Sequence, residues 1–240
     1  WDLAGVQIHA ANDDASAVAV SLAREGTVAA LMKGNVRTDD LMRAAVHRTR
    51  GIRGKKRPSH IFHMTVPGSN KSLCITDAVI NVLPKVKQKI EIADNAADLL
   101  HALGISNPNI ALLSATEVPT DQMPSSIEAA EIANQARAGA ITGATVDGPM
   151  AFDIAVSRKA ADLKGVTSPV AGNADVLLVP NIEAGNALFK QMVYFMSATA
   201  AGLVVGTTVP IALTSRADPA EARLASVALA SIYAHHLGLN

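Results

Sequence analysis

The sequence predicts an α/β protein in which mostly parallel sheets are flanked by helices. Short strand-like segments alternate with longer helix-like segments along the 240 residues, which is the order that parallel sheets with helical crossovers require. Hydrophobic residues make up 49% of the chain and aromatic residues only 3%, so the apolar content is mostly aliphatic, as in buried parallel strands. A single cysteine, Cys74, excludes an internal disulfide framework and suits a reducing compartment.

Strands are predicted where a short apolar or alternating run meets turn-forming residues. The run at 28–32 stops before Gly34, and the run at 60–66 alternates and stops at Pro67. The same pattern places strands, in chain order, at 28–32, 60–66, 73–76, 109–114, 175–180, 203–205 and 210–214.

Helices are predicted where apolar residues recur at helical spacing and a capping residue marks one end. The first, at 15–25, ends at Gly26, and the second begins at Thr38, whose hydroxyl can cap it. Further helices are predicted at 93–103, 125–139, 151–164, 187–196 and 219–237.

Charge balance and hydropathy exclude two classes of protein. The 21 basic residues equal the 21 acidic ones and few aromatic rings can stack on bases, so the chain is not a dedicated nucleic-acid binder. The longest uncharged stretch, 191–215, contains Gly202, Gly206 and Pro210, which divide it into a helix end and two strands rather than a membrane span. The chain opens with neither Met nor a signal peptide, so we expect a leading segment to be removed or missing.

The segment 213–221 is the strongest candidate for a phosphate site. A strand runs into a helix start, where Asp218 is the expected N-cap and Glu221 falls three residues later, as in a capping box. A helix N-terminus favours an anion, Ser215 adds a hydroxyl donor and Arg216 adds a bidentate cation. The alternative is a well-capped surface helix with an exposed arginine.

Basic residues upstream could serve the same anion. Arg43 lies one turn into the helix that begins at Thr38, after a turn formed by Lys33 and Gly34. The stretch 41–60 has seven basic residues and no acidic one, so it could hold the phosphates of a nucleotide-like ligand. The alternatives are an exposed helix arginine and a solvated basic loop.

Glycine turns flank the predicted strand at 175–180. Gly172 precedes that strand, and Gly185 with Asn186 follows it, so the backbone could approach a ligand closely at these turns. Ordinary turn chemistry explains them equally well. None of the seven histidines has the spacing of a metal site, and the nucleotide-binding glycine motifs are absent from the sequence.

Six short motifs follow one another along nearly the whole chain. They are Leu-Met-Lys-Gly at 31–34 with Thr38 and Arg43, Ile-Thr-Asp-Ala-Val-Ile at 75–80, Asp-Gly-Pro-Met-Ala-Phe-Asp at 147–153, Ser-Pro-Val-Ala-Gly at 168–172, Val-Pro-Asn-Ile-Glu-Ala-Gly-Asn at 179–186 and Leu-Thr-Ser-Arg-Ala-Asp at 213–218. In this order the motifs resemble the phosphate acetyl/butyryltransferase family. The last motif is similar to the butyryltransferase-like branch.

The resemblance implies a fold, an assembly and a location. The fold would have two domains, similar to isocitrate and isopropylmalate dehydrogenases, with the active cleft between them. Residues 1–55 and 210–240 would form the first domain, without its N-terminal part, and 56–209 the second. The resemblance also implies a cytoplasmic homodimer. Some relatives are fused to a hydratase-like domain, which could precede this chain.

The resemblance also implies a reaction. An acetyl- or butyryl-type group would move reversibly between coenzyme A and inorganic phosphate, with no bound cofactor and no metal. Ser215, Arg216 and Asp218 would be catalytic. The substrate-binding residues would be Arg43, Lys33, Gly34, Thr38, Asp77, Gly172, Gly185 and Asn186. One position departs from the acetyltransferases, since Ala222 stands where they have a proposed catalytic aspartate, which leaves Asp218 or Glu221 as substitutes.

Two rival functions remain open at this point. A metal- and NAD-dependent dehydrogenase of the same fold would need clustered carboxylates, for which Asp77, Asp147 and Asp153 are available. A non-catalytic coenzyme A-binding module would keep the cleft without turnover.

Overall fold

The strands join in one eight-stranded sheet in the computed structural model of the protein, which describes residues 4–11, 14–215 and 217–239. The strands are β1 (Leu31–Met32), β2 (Ser59–Thr65), β3 (Leu73–Thr76), β4 (Asn109–Leu113), β5 (Thr145–Met150), β6 (Val176–Leu178), β7 (Thr199–Val205) and β8 (Ile211–Ala212). Their order across the sheet is β1-β8-β7-β2-β3-β6-β4-β5.

The sheet is mixed, which corrects the expectation of mostly parallel sheets. Neighbours are parallel at the two ends of the sheet, in the pairs β1–β8, β3–β6, β6–β4 and β4–β5. The central pairs β8–β7, β7–β2 and β2–β3 are antiparallel. The connections from β2 to β3 and from β7 to β8 are too short for a parallel crossover, which explains the antiparallel pairs β2–β3 and β8–β7. One sheet therefore spans the described residues, and the division at 56 and 209 stays a prediction.

Eight α-helices are present in the described part of the chain. They are α1 (Ala15–Arg24), α2 (Thr38–Ala45), α3 (Val86–Ala102), α4 (Pro124–Gln135), α5 (Phe152–Val156), α6 (Arg158–Leu163), α7 (Ile182–Met196) and α8 (Ala220–His236). A π-helical segment, Ala136–Ala140, extends α4.

Three predicted helices differ clearly from the observed ones. Helix α7 begins at Ile182, five residues before its predicted start, where the Asn181 side chain caps it. Helix α3 begins seven residues before the predicted start, because the Gln88 side chain accepts a hydrogen bond from the Lys85 amide and caps a polar first turn. The single helix predicted at 151–164 is divided at Ser157, whose hydroxyl oxygen caps α6 by accepting from the Ala160 amide at 3.2 Å. Apolar periodicity misses these features because they depend on polar side chains.

The core covers both faces of the sheet. Helices α3, α4 and α8 pack against one face, where Leu99 and Leu229 join strand residues such as Ile110 and Leu203. Helix α7 covers part of the other face through Met192. The packing leaves the residues after β1 and β8 next to α7, and this is where the largest group of predicted site residues lies.

Candidate functional site

A cavity of about 730 Å³ contains Ser215, and we call it the Ser215 cavity. Its walls come from the β1–α2 connection, the residues after β8, the exposed side of α7, and the side chains of Phe62 and Val79. Five of the predicted site residues line it, namely Lys33, Thr38, Asn186, Ser215 and Asp218. Arg216 lies outside the described residues, so its role stays a prediction.

A tight turn holds Ser215 at the end of β8. The Asp218 carboxylate accepts a hydrogen bond from the Ser215 amide at 2.6 Å, and the Ser215 Oγ accepts one from the Ala217 amide at 3.3 Å. Among the described residues, no acceptor lies within hydrogen-bond reach of the Ser215 hydroxyl proton. This proton is therefore available for a bound ligand.

The observed turn corrects the capping box predicted here. Helix α8 begins at Ala220, its N-cap is Pro219, and no side chain caps it. The Asp218 carboxylate accepts from the Ser215 amide, which precedes it, and not from an amide of the helix. Glu221 lies in the first turn of α8, but the N-cap beside it is Pro219 and not Asp218. Asp218 therefore orients Ser215 rather than the helix.

Lys33 brings a positive charge into the wall of the cavity. The residue is only 6% exposed, and its Nζ donates to the carbonyls of Gly34 at 3.3 Å and Val36 at 3.4 Å. These carbonyls hold the ammonium group in place beside the cavity. Gly34 itself is exposed and does not line the cavity.

Helix α2 starts at the cavity with Thr38. The expected N-cap is wrong by one residue, since the N-cap is Arg37, whose side chain makes no capping bond. Thr38 is the first helical residue and lines the cavity with Arg37 and Asp39. The start of α2 therefore borders the same space as Ser215, and the positive end of a helix dipole favours an anion.

Arg43 does not line the Ser215 cavity. It lines a neighbouring cavity of about 790 Å³ between α1 and α2, which we call the Arg43 cavity, and its side chain is 76% exposed and paired with Asp40 at 3.3 Å. At 100° per residue, a position five residues after Thr38 lies about 140° around the helix. The sequence placed the two residues in one helix correctly, but the structure turns them toward different cavities.

Asp77 is buried beside the Ser215 cavity without lining it. Its carboxylate accepts hydrogen bonds from the amides of His60 (3.1 Å), Val79 (2.8 Å) and Ile80 (2.9 Å), and from the Asn81 Nδ2 at 2.6 Å. These bonds fix the loop after β3 that presents Val79 to the cavity. The substrate-binding role predicted for Asp77 stays a prediction, and the observed contacts are internal ones.

The two predicted glycine contacts lie in packing positions outside both cavities. A Cβ on Gly172 would lie 2.4 Å from the Arg158 backbone, and its φ of +72° favours glycine. A Cβ on Gly185 would lie 2.8 Å from the Val179 side chain, so this glycine lets α7 approach the ends of β3 and β6. Asn186 does line the Ser215 cavity, and its Nδ2 donates to the Ala78 carbonyl at 3.4 Å.

Sequence reasoning missed the aromatic wall of the cavity. The rings of Phe62 on β2 and Phe189 on α7 are stacked at 3.8 Å with an interplanar angle of 6°. The His60 ring meets Phe62 edge-on at 4.3 Å, which completes a set of three rings that we call the ring stack. Two of the chain's four phenylalanines lie in it, but only the tertiary structure brings them together.

His60 is fully buried beneath the cavity wall. Neither ring nitrogen has a hydrogen-bond partner of good geometry among the described residues. Burial lowers the pKa of His60 to about 4, and the carboxylate of Asp77 and the backbone of Leu213 offset only part of this effect. The imidazole is therefore neutral at pH 7.

Three aspartates available for a metal do not meet in the described structure. Asp147 pairs with Arg137 at 3.2 Å, Asp153 pairs with Lys164 at 2.9 Å, and Asp77 makes the internal bonds given above. Residues 4–11, 14–215 and 217–239 contain no group of three or more His, Cys, Asp or Glu side chains arranged as metal ligands. Over the same ranges, no helix combines the length and apolarity that crossing a bilayer would take.

Comparison with known sequences shows what the chain is similar to. The profile of the family described as phosphate acetyl/butaryl transferase matches residues 4–231. A phosphate acetyltransferase of Rhizobium meliloti is 50% identical over 220 residues, which are 92% of this chain and 70% of that protein. A phosphate butyryltransferase of Clostridium acetobutylicum is 41% identical over 216 residues, which are 90% of this chain and 72% of that protein. The chain spans only 62–64% of the length of three phosphate acetyltransferases from Rickettsia.

Solved structures share the fold. A branched-chain phosphotransacylase from Enterococcus faecalis has a TM-score of 0.87 at 36% identity, over 95% of this chain and 82% of that chain. A 4-hydroxythreonine-4-phosphate dehydrogenase from Klebsiella pneumoniae has a TM-score of 0.52 at 15% identity, over 91% of this chain and 69% of that chain. The second likeness concerns the fold alone, and it agrees with the expected similarity to dehydrogenase folds.

Proposed function

The chain belongs to the phosphate acetyl/butaryl transferase family, and on that premise we propose that it transfers an acyl group reversibly between coenzyme A and inorganic phosphate. The observation that supports this proposal is the composition of the Ser215 cavity. An ammonium group, a hydroxyl donor, the start of a helix and a group of apolar side chains line the same space. Acyl phosphate and acyl thioester both combine a polar reacting group with an apolar chain.

In this reaction the protein has two main tasks, which are to position the phosphate beside the thioester and to stabilise negative charge. A phosphate oxygen attacks the thioester carbonyl carbon, so that a C–O bond forms, and the C–S bond breaks as the coenzyme A thiolate leaves. Ser215 would donate its hydroxyl proton in a hydrogen bond to the developing oxyanion, and Lys33 would offset the phosphate charge. The Asp218 carboxylate would hold Ser215 in place by accepting from the Ser215 amide. Phosphate is itself nucleophilic at neutral pH, so Asp218 need not act as a general base.

The remaining predicted contacts belong to the same proposal. Arg216 follows Ser215 directly in the sequence and would grip the phosphate, as the resemblance implies. Arg43 would reach the substrate from the adjoining cavity, since Val36 and Arg37 line both cavities. Coenzyme A would act as substrate rather than as resident cofactor.

Assembly and location are also proposed rather than measured. Tyr194 and Phe195 on α7 are 73% and 87% exposed, which supports a homodimer formed through this helix. A single buried cysteine, Cys74, whose pKa burial raises to about 12, fits a cytoplasmic protein. Fusion to a hydratase-like domain stays a prediction.

Thiol release from acyl-CoA tests the function directly. We expect phosphate-dependent release of free thiol from acetyl-, propionyl- or butyryl-CoA, and we expect Ser215→Ala to lower kcat by about a hundredfold to a thousandfold, as loss of an oxyanion donor does. Ser69→Ala is the matched control, because Ser69 lies in the β2–β3 connection outside the cavity.

Two results would overturn the assignment. Thiol release that does not depend on phosphate would indicate a hydrolase. Magnesium-dependent reduction of NAD by an added 2-hydroxy acid, which is oxidised in the same step, without thiol release from acyl-CoA, would indicate the dehydrogenase alternative.

A further inference from the structure

The chain leaves β8 with one hydrogen bond of its ladder missing, two residues before Ser215. We propose that His60 is a positioning residue for Ser215. Its neutral imidazole donates a hydrogen bond to the Leu213 carbonyl and so fixes the main chain that leads into the serine turn. This inference rests on the proposed function, because it concerns how the same serine is held.

The missing bond belongs to Gly202 on β7 and Leu213, which lie opposite each other one residue beyond the last pair of the β7–β8 ladder. Two residues bonded in this way in an antiparallel pair normally exchange two amide-to-carbonyl bonds. The Leu213 amide donates to the Gly202 carbonyl at 3.0 Å, but the Gly202 amide donates instead to the Ser226 Oγ of α8, also at 3.0 Å. In the described part of the chain, no other backbone amide donates to the Leu213 carbonyl, although Leu213 is buried.

The His60 imidazole lies beside this carbonyl. A Cβ on Gly202 would lie 2.5 Å from the Leu213 carbonyl oxygen and 3.0 Å from the His60 Nε2, so both atoms border the space that glycine leaves open. Neither ring nitrogen has a well-aligned partner within the described ranges. Buried donors and acceptors are nearly always paired in proteins. The imidazole N–H and the Leu213 carbonyl therefore fit each other as donor and acceptor.

The charge state of the ring suits this bond. Burial lowers the pKa of His60 to about 4, whereas the Asp77 carboxylate and the Leu213 backbone act to raise it, which requires both to lie near the ring. Asp77 is the charged group that acts on the imidazole, and its carboxylate accepts from the His60 amide. At pH 7 the ring is neutral and has a single N–H to donate.

Contacts with neighbouring residues hold the imidazole in one orientation. The Asp77 carboxylate accepts from the His60 amide at 3.1 Å, and the Thr76 Oγ1 donates to the His60 carbonyl at 2.9 Å. The His60 ring meets Phe62 edge-on at 4.3 Å, and Phe62 in turn stacks on Phe189. A side chain locked by packing can fix the position of a group that it touches. The ring stack therefore gives the serine turn a support on β2.

The serine turn needs such a support because its own bonds are local. The Ser215 amide donates to Asp218, and the Ala217 amide donates to the Ser215 Oγ, so both bonds join residues of the same turn. Only Thr214 separates the turn from the Leu213 carbonyl. Because Ser215 would donate to an oxyanion that develops in the transition state, its displacement should lower kcat and leave KM nearly unchanged.

The experiment is phosphate-dependent thiol release from acyl-CoA by the full chain with His60→Leu and His60→Gln. Leucine fills the space without a donor, whereas glutamine keeps an N–H. A displacement of about 1 Å can cost about a hundredfold, so we expect His60→Leu to lower kcat about thirtyfold, with both KM values changed less than about twofold. His60→Gln should return kcat to within about threefold of the wild-type value.

His63→Leu is the matched control. His63 lies on the same strand, and its side chain points to the opposite face of the sheet because it is three residues from His60. We expect this variant to keep the wild-type kcat and KM. Thermal melting of each variant checks that it is folded.

A second measurement uses the wild-type chain and does not depend on the variants. With isotope-labelled histidine nitrogens, NMR at pH 7 should show His60 as one neutral tautomer whose proton is on Nε2. The signal is identified by its contact with the ring protons of Phe62. A proton on Nδ1, or a mixture of the two tautomers, would overturn the inference even if neither variant of His60 folds.

The outcomes separate the two proposals. A wild-type kcat in His60→Leu, equal losses in His60→Leu and His60→Gln, or a loss that falls on KM would overturn the inference and leave the function standing. Absence of phosphate-dependent thiol release by the wild-type chain from every acyl-CoA would overturn the function and, with it, the role given to His60.

Discussion

The Ser215 cavity and the Arg43 cavity are neighbours of similar size, about 730 and 790 Å³, with opposite construction. The Arg43 cavity is lined by residues of α1, α2 and their flanks, and Arg43 makes there an exposed pair with a carboxylate on its own helix. The Ser215 cavity joins side chains from β2, α7 and the ends of β1 and β8, several of them buried. The comparison shows that buried side chains such as Lys33 and Phe62 are fixed by packing between distant segments, whereas the charge of Arg43 stays on an exposed side chain.

Neutralising Lys33 should produce a larger effect than any change in the Arg43 cavity, because Lys33 is buried in the wall of the Ser215 cavity. We expect Lys33→Met, which keeps the length of the side chain, to lower kcat/KM by about a hundredfold and to raise the KM for phosphate. Steady-state kinetics with varied phosphate measures both. Lys87→Met, on the exposed side of α3, is the control. Equal losses in the two variants would show that the fixed position of Lys33 is unimportant.

The ring stack should make the protein less stable in acid. The unfolded chain binds a proton at His60 near pH 6.5 and the folded chain only near pH 4, so the free energy of unfolding falls as the pH drops between these values. The full effect is about 3 kcal/mol. His60→Leu should remove most of this dependence in urea titrations at pH 7 and pH 4.5.

A second buried histidine, His63, also contributes to the loss of stability in acid, so the contribution of His60 is measured by comparing variants at each pH. Burial lowers the pKa of His63 as well, so part of the acid effect persists in His60→Leu. His235→Leu, at an exposed position on α8, should keep the full wild-type dependence. A wild-type slope retained by His60→Leu would contradict the assignment.

A smaller effect tests whether the two cavities act together. An exposed ion pair such as Arg43–Asp40 contributes at most about 1 kcal/mol, so a bound anion can draw Arg43 away from Asp40. We expect Arg43→Gln to raise the KM of one substrate, acyl-CoA or phosphate, about tenfold. Arg24→Gln, in the same cavity, should change that KM less than twofold. Identical behaviour of the two variants would show that the cavities work separately.

Much of this site could be predicted from the sequence where the signal is local. The strand end before Ser215 and the helix after Thr38 follow from turn residues and apolar spacing, and the structure agrees. The turn predicted at Gly185 and Asn186 is wrong, because both residues lie in α7, which the Asn181 side chain caps. Asp218 was assigned to the wrong partner because a capping box and a backward turn use the same residue types. In the structure the Asp218 carboxylate accepts a hydrogen bond from the Ser215 amide and caps no helix.

The remaining part depends on contacts between distant segments. Nothing near Phe62 in the sequence indicates that Phe189, more than a hundred residues later, stacks on it. Similarly, apolar spacing predicts that helix 187–196 has a covered side but not which strand covers it. Strand direction is divided in the same way. The short connections that make β2–β3 and β7–β8 antiparallel can be read from the sequence, whereas the antiparallel pairing of β7 with β2 joins distant segments.

The antiparallel centre has a consequence for how the two sides of the substrate are held. Strands β7 and β2 pair through seven consecutive residues, whereas β8, which ends three residues before Ser215, pairs with β7 through only two. The aromatic side of the pocket is thus anchored to the most extensively bonded ladder, and the serine turn to a short one. We therefore expect ligand binding to move the serine turn more than the strand that carries Phe62.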